Sequence, residues 1–270
     1  MRVAALQMRS GTDVAANLEA LERGVREAAG AGAAFVATPE MSLLVQRDRD
    51  ALLAAIHAEA DDPALARVAA LAGELGIHFL LGSHPVKVGS RVHNRSFLFG
   101  PGGERVAAYT KMHLFEARLA RESWSEGRTY AAGDRPVSAK VAAADGTWTL
   151  GLSVCYDLRF PELYRTYARA GCDLLAVPSA FTVPTGAAHW EVLLRARAIE
   201  TGSYVVAPAQ GGLHADGRTT YGHSLVVDPW GTVVAHLDSD GPGTIWADID
   251  ASAVSRARAR IPAWGQPPRL

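Results

Sequence analysis

Val3 to Met8 is a short apolar run that predicts a strand, and the period changes after it. Thr12-Asp13 caps a helix in which Val14, Leu18, Leu21, Val25 and Ala28 recur at helical spacing. Gly30 and Gly32 end the helix, and Ala33 to Ala37 is the next strand. This strand–helix–strand opening delivers Thr38-Pro39-Glu40-Met41 to a strand's C-terminal end, where α/β folds keep their sites. Pro63 to Leu75 predicts a helix, and His78 to Gly82 and Asn94 to Phe99 predict strands before the turn Pro101-Gly102-Gly103. Val106 to Tyr109 leads into Thr110-Lys111-Met112-His113, and Arg118 to Asp134 is polar and aperiodic, a long surface loop.

Thr147 to Val154 is an apolar strand ending at Cys155, and Pro161-Glu162 is a helix start, which puts the cysteine at a strand-to-helix elbow. A helix to Ala170, a strand Asp173 to Val177, a loop Pro178 to Gly186, a helix Ala188 to Thr201 and a strand Ser203 to Ala207 follow. Both halves thus alternate strand and helix. Ser224 to Val227, Asp228-Pro229-Trp230-Gly231 and Thr232 to Val234 form a hairpin, followed by a strand Thr244 to Ile249 and an Arg-rich helix Ala251 to Arg260. Ile261 to Leu270 is a Pro-rich tail not expected to fold alone. The expectation is α/β, with partly antiparallel mixed sheets flanked by helices.

With 270 residues and 49% hydrophobic positions, the chain is long enough for one large core, and a single domain, 1–270 with a C-terminal tail from about 251, is expected. The net charge of −1 is spread along the chain, so neither nucleic acid nor a membrane is expected as partner. No apolar run approaches the roughly 18 residues of a membrane span, and Met1-Arg2 leads straight into a strand; a soluble, cytoplasmic protein is expected. Two cysteines are too few for a disulfide framework, and Cys172 reads as a small buried hydrophobe.

Cys155 is different, because N–H groups after such an elbow point at whatever the sulfur attacks, and a helix start favours thiolate. A thiol nucleophile needs a base, its tetrahedral intermediate a cation, and a leaving amine a proton. Glu40 and Lys111 are the partners that can supply them. Lysine occurs only at Lys87, Lys111 and Lys140 in an arginine-rich chain, and Lys111 precedes the apolar Met112-His113-Leu114-Phe115. Taken singly, Glu40 and Lys111 each read as surface residues; it is the three together that point to chemistry.

Phe35-Val36-Ala37-Thr38-Pro39-Glu40, Tyr109-Thr110-Lys111-Met112-His113-Leu114-Phe115 and Val154-Cys155-Tyr156-Asp157-Leu158-Arg159-Phe160-Pro161-Glu162, in this order, resemble the nitrilase superfamily of carbon–nitrogen hydrolases over essentially the whole chain. The resemblance implies a four-layer αββα sandwich. It also implies that Glu40 is the general base, that Lys111 and the Tyr156 N–H stabilise the oxyanion, and that Cys155 forms a thioester. Glu126 in Glu126-Gly127-Arg128-Thr129 resembles the family's second glutamate, with Glu116 and Glu122 as alternatives in the same loop. Cys155-Tyr156-Asp157 departs from the Cys-Trp-Glu of nitrile-hydrolysing members, which implies an amide substrate; no cofactor is expected.

Pro184 to Glu191 resembles both amidase groups of the Nit branch, whereas Leu194 to Glu200, Ala209-Gln210 and Tyr221 to Gly231 look more like deaminated glutathione amidases than omega-amidases. N-carbamoyl amino acid hydrolysis and a catalytically silent binding protein are the further alternatives. Both Nit-branch substrates carry a 2-oxo carboxylate; Arg159 reads as its clamp or as a structural salt-bridge residue, and Thr185 as a hydrogen-bonding candidate. The resemblance and the tail together imply a homo-oligomer, dimer or tetramer, with the tail crossing to a neighbour.

Gly222-His223-Ser224-Leu225-Val226 lacks the last glycine of a serine-hydrolase elbow, and Gly30-Ala31-Gly32 lacks the third glycine and the order of a dinucleotide loop. The nine histidines show no metal-ligand spacing. His189 and Trp190 read equally as cavity lining or core.

Overall fold

The computed structural model describes residues 1–118 and 123–266. Two six-stranded sheets form its centre. In spatial order the first holds Gly243–Asp248, Arg2–Gln7, Phe35–Ala37, His78–Val88, Arg91–Phe99 and Arg105–Thr110. The second holds Val233–His236, Leu225–Val227, Tyr204–Ala207, Leu174–Ala176, Gly146–Leu152 and Val137–Ala143. Each has a parallel centre of three strands with antiparallel strands outside it. Parallel neighbours need long crossovers. The helices Val14–Gly30 and Pro63–Leu75 supply them in the first half, and Pro161–Arg169 and Val183–Thr201 in the second.

Strand alternation sorts the layers. Val3 and Ala5 join the core that includes Leu150, Leu152 and Val205 of the other sheet, whereas Ala4 and Leu6 pack with Leu21, Val25 and Leu71 of the first pair of helices. Tyr164, Tyr167, Trp190 and Leu194 cover the second sheet from its own helices. The result is the expected αββα sandwich.

Local chemistry sets the boundaries. Asp13 caps the first helix by accepting from the N–H groups of Ala15 and Ala16. The strand before Cys155 ends at Leu152, two residues early, and Cys155–Arg159 forms a separate 3₁₀ turn ahead of the helix Pro161–Arg169. Phe160 precedes a proline, which keeps it extended (φ −112, ψ 92), so the turn cannot run on into the helix. Pro184 in the first turn lets the next helix begin at Val183 rather than Ala188.

Several elements were not expected. The Arg49–Ala55 helix buries only Leu52 and so shows no periodicity, and Val137–Ala143 is a half-exposed edge strand. Gly211–Leu213 pairs with Thr219–Tyr221 in a small ribbon. The segment expected as a loop from Arg118 to Asp134 contains the strand Ser123–Ser125 and the 3₁₀ turn Glu126–Arg128; residues 119–122 lie outside the described residues. The tail folds back on its own chain as far as it is described: Arg165 donates to the carbonyls of Ala263 (3.1 Å) and Gln266 (2.9 Å), and Arg258 lies over Trp264.

Gly82 marks the closest approach beside the Glu40 segment. A Cβ there would collide with the Thr38 and Pro39 carbonyl oxygens and lie 2.6 Å from Pro178 Cβ of the other half. Gly82→Ala is therefore expected to lower unfolding free energy by about 1–3 kcal/mol, read from the midpoint of urea denaturation at unchanged slope.

Candidate active site

Glu40 and Cys155 both follow parallel strands, and Lys111 follows the edge strand Arg105–Thr110 directly, so three strand ends converge at one pole. They line a cavity of about 220 Å³ together with Glu126, Tyr156, Arg159 and Thr185. The structure thus brings all seven anticipated residues to one place.

Lys111 is the centre of the arrangement. Its Nζ donates to Glu40 Oε1 and to Glu126 Oε2, each at 2.8 Å, and its side chain is 1% exposed. Burial works against the ammonium, but the carboxylates of Glu126 and Glu40 outweigh it and hold its pKa well above the ordinary value. Glu126 Oε2 also accepts from the Phe115 N–H at 2.7 Å. Its own pKa rises, chiefly from burial, which Lys111 counters and Glu40 reinforces. Glu116 is exposed, so the lysine's partner in this loop is Glu126; Glu122 lies outside the described residues.

Glu40 is held on every side. Asn94 Nδ2 donates to Oε1 at 3.0 Å, Gln210 Nε2 donates to its backbone carbonyl at 3.1 Å, and the next N–H, of Met41, donates to Ser83 Oγ. Met41 sits at φ 55, a left-handed conformation unusual outside glycine. Lys111 N–H bonds the Asn94 carbonyl, so one strand orients both members of the ion pair. Sequence reasoning missed Asn94, although an asparagine inside a strand is itself a signal, since strands disfavour it.

Cys155 has φ 50, and its N–H donates to the Pro178 carbonyl at 2.9 Å. Tyr156, second in the 3₁₀ turn, has an N–H that the turn itself cannot satisfy. Burial, then the Glu40 charge, pushes the Cys155 thiol well above its usual pKa, and Lys111 only partly offsets them. The resting sulfur is therefore a neutral thiol beside a carboxylate. Asp157, fully buried, fixes the elbow to the lysine's segment by accepting from Val154 N–H (2.9 Å), Tyr109 Oη–H (2.7 Å) and His113 N–H (3.0 Å). Such an array can pass a proton between sulfur and carboxylate and hold a negative oxygen at Lys111.

Arg159 leaves the same turn. Its Nη1 lies 3.3 Å from His189 Nδ1 and its guanidinium over the Phe181 ring, with no carboxylate partner among the described residues. Thr185 hydrogen-bonds Thr182 across the helix start. Trp190 is core, donating to the His223 carbonyl, and His189 reaches the site only through Arg159. Cys172 is buried away from the site, its thiol pushed up to about 11 by burial and then by Asp173. Ser224 leads into a strand and bonds Gln7 and Ala209. Sequence reasoning also missed Tyr130 and the cavity arginines Arg47, Arg49 and Arg218. Among the described residues no group of three or more His, Cys, Asp or Glu is arranged to hold a metal ion, and no helix is long and apolar enough to cross a membrane.

A thiol facing a buried carboxylate–lysine–carboxylate row, in a cavity at the strand ends of an αββα sandwich, defines a hydrolase of the nitrilase type. The chain belongs to the carbon-nitrogen hydrolase family, whose family model matches residues 2–259. It is 38% identical over 264 residues to a deaminated glutathione amidase of Synechocystis, covering 96% of this chain and 95% of that protein. It is similar to the crystal structure of the C. elegans NitFhit protein (TM-score 0.88, 36% identity), covering 98% of this chain and 64% of that longer one. An amidase from Nesterenkonia, bearing the acetamide moiety of fluoroacetamide covalently at its active-site cysteine, matches with TM-score 0.80 and 27% identity, covering 97% and 95% of the two chains.

The lysine's position makes a stability prediction. Lys111→Met leaves the buried Glu40 and the partly buried Glu126 side by side without their cation, a loss of about 3 kcal/mol near pH 8. One of them then holds a proton above its unfolded pKa, so the folded state binds more protons and stability rises as pH falls. The gap in Tm between variant and wild type is expected to narrow from pH 8 to pH 5; in the wild type Lys111 stays charged throughout that range.

Proposed function

We propose that the protein is an amidase that cleaves the side-chain amide of deaminated glutathione, releasing cysteinylglycine and 2-oxoglutarate. The observation that carries the chemistry is Lys111 held at 2.8 Å by both Glu40 and Glu126 on the cavity that Cys155 also lines. Glu40 takes the Cys155 proton as the sulfur attacks the amide carbon, which replaces an unfavourable free thiolate with a transfer timed to attack. The oxyanion forms against Lys111 Nζ and the Tyr156 N–H. Glu40 returns the proton to the departing amine, leaving the acyl thioester on Cys155. Water then gives a proton to Glu40 and attacks the thioester, and the carboxylic acid leaves as the thiol reforms. Glu126 keeps Lys111 aimed throughout. The covalent adduct in the Nesterenkonia amidase supports the cysteine as nucleophile.

The substrate reading is supported by the relatives' name and by Arg159, a cavity arginine with no carboxylate partner among the described residues, fit to take a 2-oxo carboxylate with Thr185 also lining the cavity. We further read 1–270 as one domain, working in the cytoplasm as a homo-oligomer. Val192 and Ile199 are 68% and 55% exposed on one helix, and Arg195 of that helix bonds Gly231 next to the half-exposed Trp230, giving an apolar face suited to a second copy.

Steady-state kinetics test the substrate. The kcat/KM for deaminated glutathione is expected to exceed that for 2-oxoglutaramate by about tenfold or more, and the reverse order would make the protein an omega-amidase. Cys155→Ala is expected to lose about 10⁴-fold or more in kcat and to show no acyl adduct by mass spectrometry, whereas wild type stopped during turnover shows one. The oligomer reading predicts that Val192→Glu with Ile199→Glu lowers the mass measured by light scattering, with unchanged far-UV circular dichroism.

A further inference from the structure

Among the described residues four arginines line the cavity: Arg47, Arg49, Arg159 and Arg218. Arg218 is engaged, its Nε 2.7 Å from Asp216 Oδ2. Arg159 rests on His189 and aromatic faces, as described. Arg49 has no hydrogen-bond or ion-pair partner among the described residues, although acids flank it in sequence. Asp48 instead caps the helix, accepting from the Ala51 N–H at 2.8 Å. Arg49 and Arg159 thus line one cavity with neither charge paired to a carboxylate.

They come from different elements. Arg159 rides on the turn of Cys155. Arg49 opens the helix Arg49–Ala55, and Leu52, three residues on and so on the same face, also lines the cavity and belongs to a small cluster against which Tyr130 packs. Tyr130 N–H in turn donates to the Glu126 carbonyl at 2.9 Å. The Arg49 face is therefore seated on the Glu126 turn, and Arg159 on the nucleophile's turn. Arg49 is exposed where it lines the cavity, so an incoming ligand can reach its guanidinium, and bidentate binding of carboxylate is what guanidinium does best.

We propose that Arg49 binds the carboxylate at the far end of the amine leaving group, so that the enzyme selects amides whose leaving group is an anionic dipeptide. This rests on the substrate reading above, in which the amide joins an oxo acid to cysteinylglycine. That substrate carries two carboxylates on either side of the scissile bond, and the cavity offers two unpaired arginines on two elements. The 2-oxoglutaramate leaving group is ammonia, which gives Arg49 nothing to hold. Arg49 is then the residue that separates the two Nit-branch substrates, while Arg159 recognises what they share.

The test compares wild type, Arg49→Gln and Arg49→Lys on deaminated glutathione, on the same compound with its glycine carboxylate amidated, and on 2-oxoglutaramate as internal reference. Arg49→Gln is expected to lower the preference for deaminated glutathione over 2-oxoglutaramate roughly tenfold, mainly through KM, with Arg49→Lys between it and wild type. Wild type is expected to lose a similar factor when the glycine carboxylate is amidated, and Arg49→Gln to be indifferent to that change. An unchanged preference in Arg49→Gln, or a wild type that treats the free and amidated peptides alike, overturns the assignment while leaving the amidase reading intact. A wild type that turns over 2-oxoglutaramate but not deaminated glutathione overturns both the Arg49 assignment and the deaminated glutathione reading on which it rests.

Discussion

One buried ammonium between two carboxylates governs this molecule. Lys111 is 1% exposed and carries charge only because Glu40 and Glu126 each meet it at 2.8 Å. The ammonium in turn offsets the cost of bringing two carboxylates together, and burial already raises the pKa of Glu126. The three groups are contributed by separate segments: the end of a central strand, the end of an edge strand and a short turn after the ribbon that pairs Glu116–Arg118 with Ser123–Ser125. Each must arrive at a fixed distance, and the rest of the fold is arranged to deliver them.

Much of that delivery is done by groups that touch no reacting atom. Asp157 ties the Cys155 turn to the lysine's strand, and Gln210 reaches from the second half to the Glu40 backbone. Asn94 shares its side chain with Glu40 and its carbonyl with Lys111. These bonds are buried, so each lost partner leaves a polar atom stranded at a cost well above that of a surface bond. They also explain how Cys155 and Met41 keep left-handed backbones on either side of the reaction centre.

The sequence shows the strand ends more clearly than the packing between them. The capped first helix and the apolar runs before Glu40 and Cys155 are local patterns and appear where expected. The break between the Cys155 turn and its helix was written in Phe160-Pro161, but reading it requires weighing proline's restriction on the residue before it. The contact of Asn94 with Glu40 joins positions 54 apart in the chain, and no local period encodes it. Choosing Glu126 over Glu116 likewise depends on which residue the ribbon leaves exposed. The cavity arginines were illegible for a different reason: in a chain so rich in arginine, nothing in the letters marks those that face inward.

The Arg49–Ala55 helix buries only Leu52 fully, with Leu53 and Ala55 packed beside it and Lys87 donating to the Leu53 carbonyl, and neither Glu40, Lys111, Glu126 nor Cys155 belongs to it. On the proposal that Arg49 reads the leaving group, that part of substrate choice sits on a different element from the chemistry. The deep row of charges tolerates almost no change, whereas a seven-residue appendage at the rim can be redrafted freely. A lineage could acquire new substrates by editing that appendage while inheriting its reaction untouched.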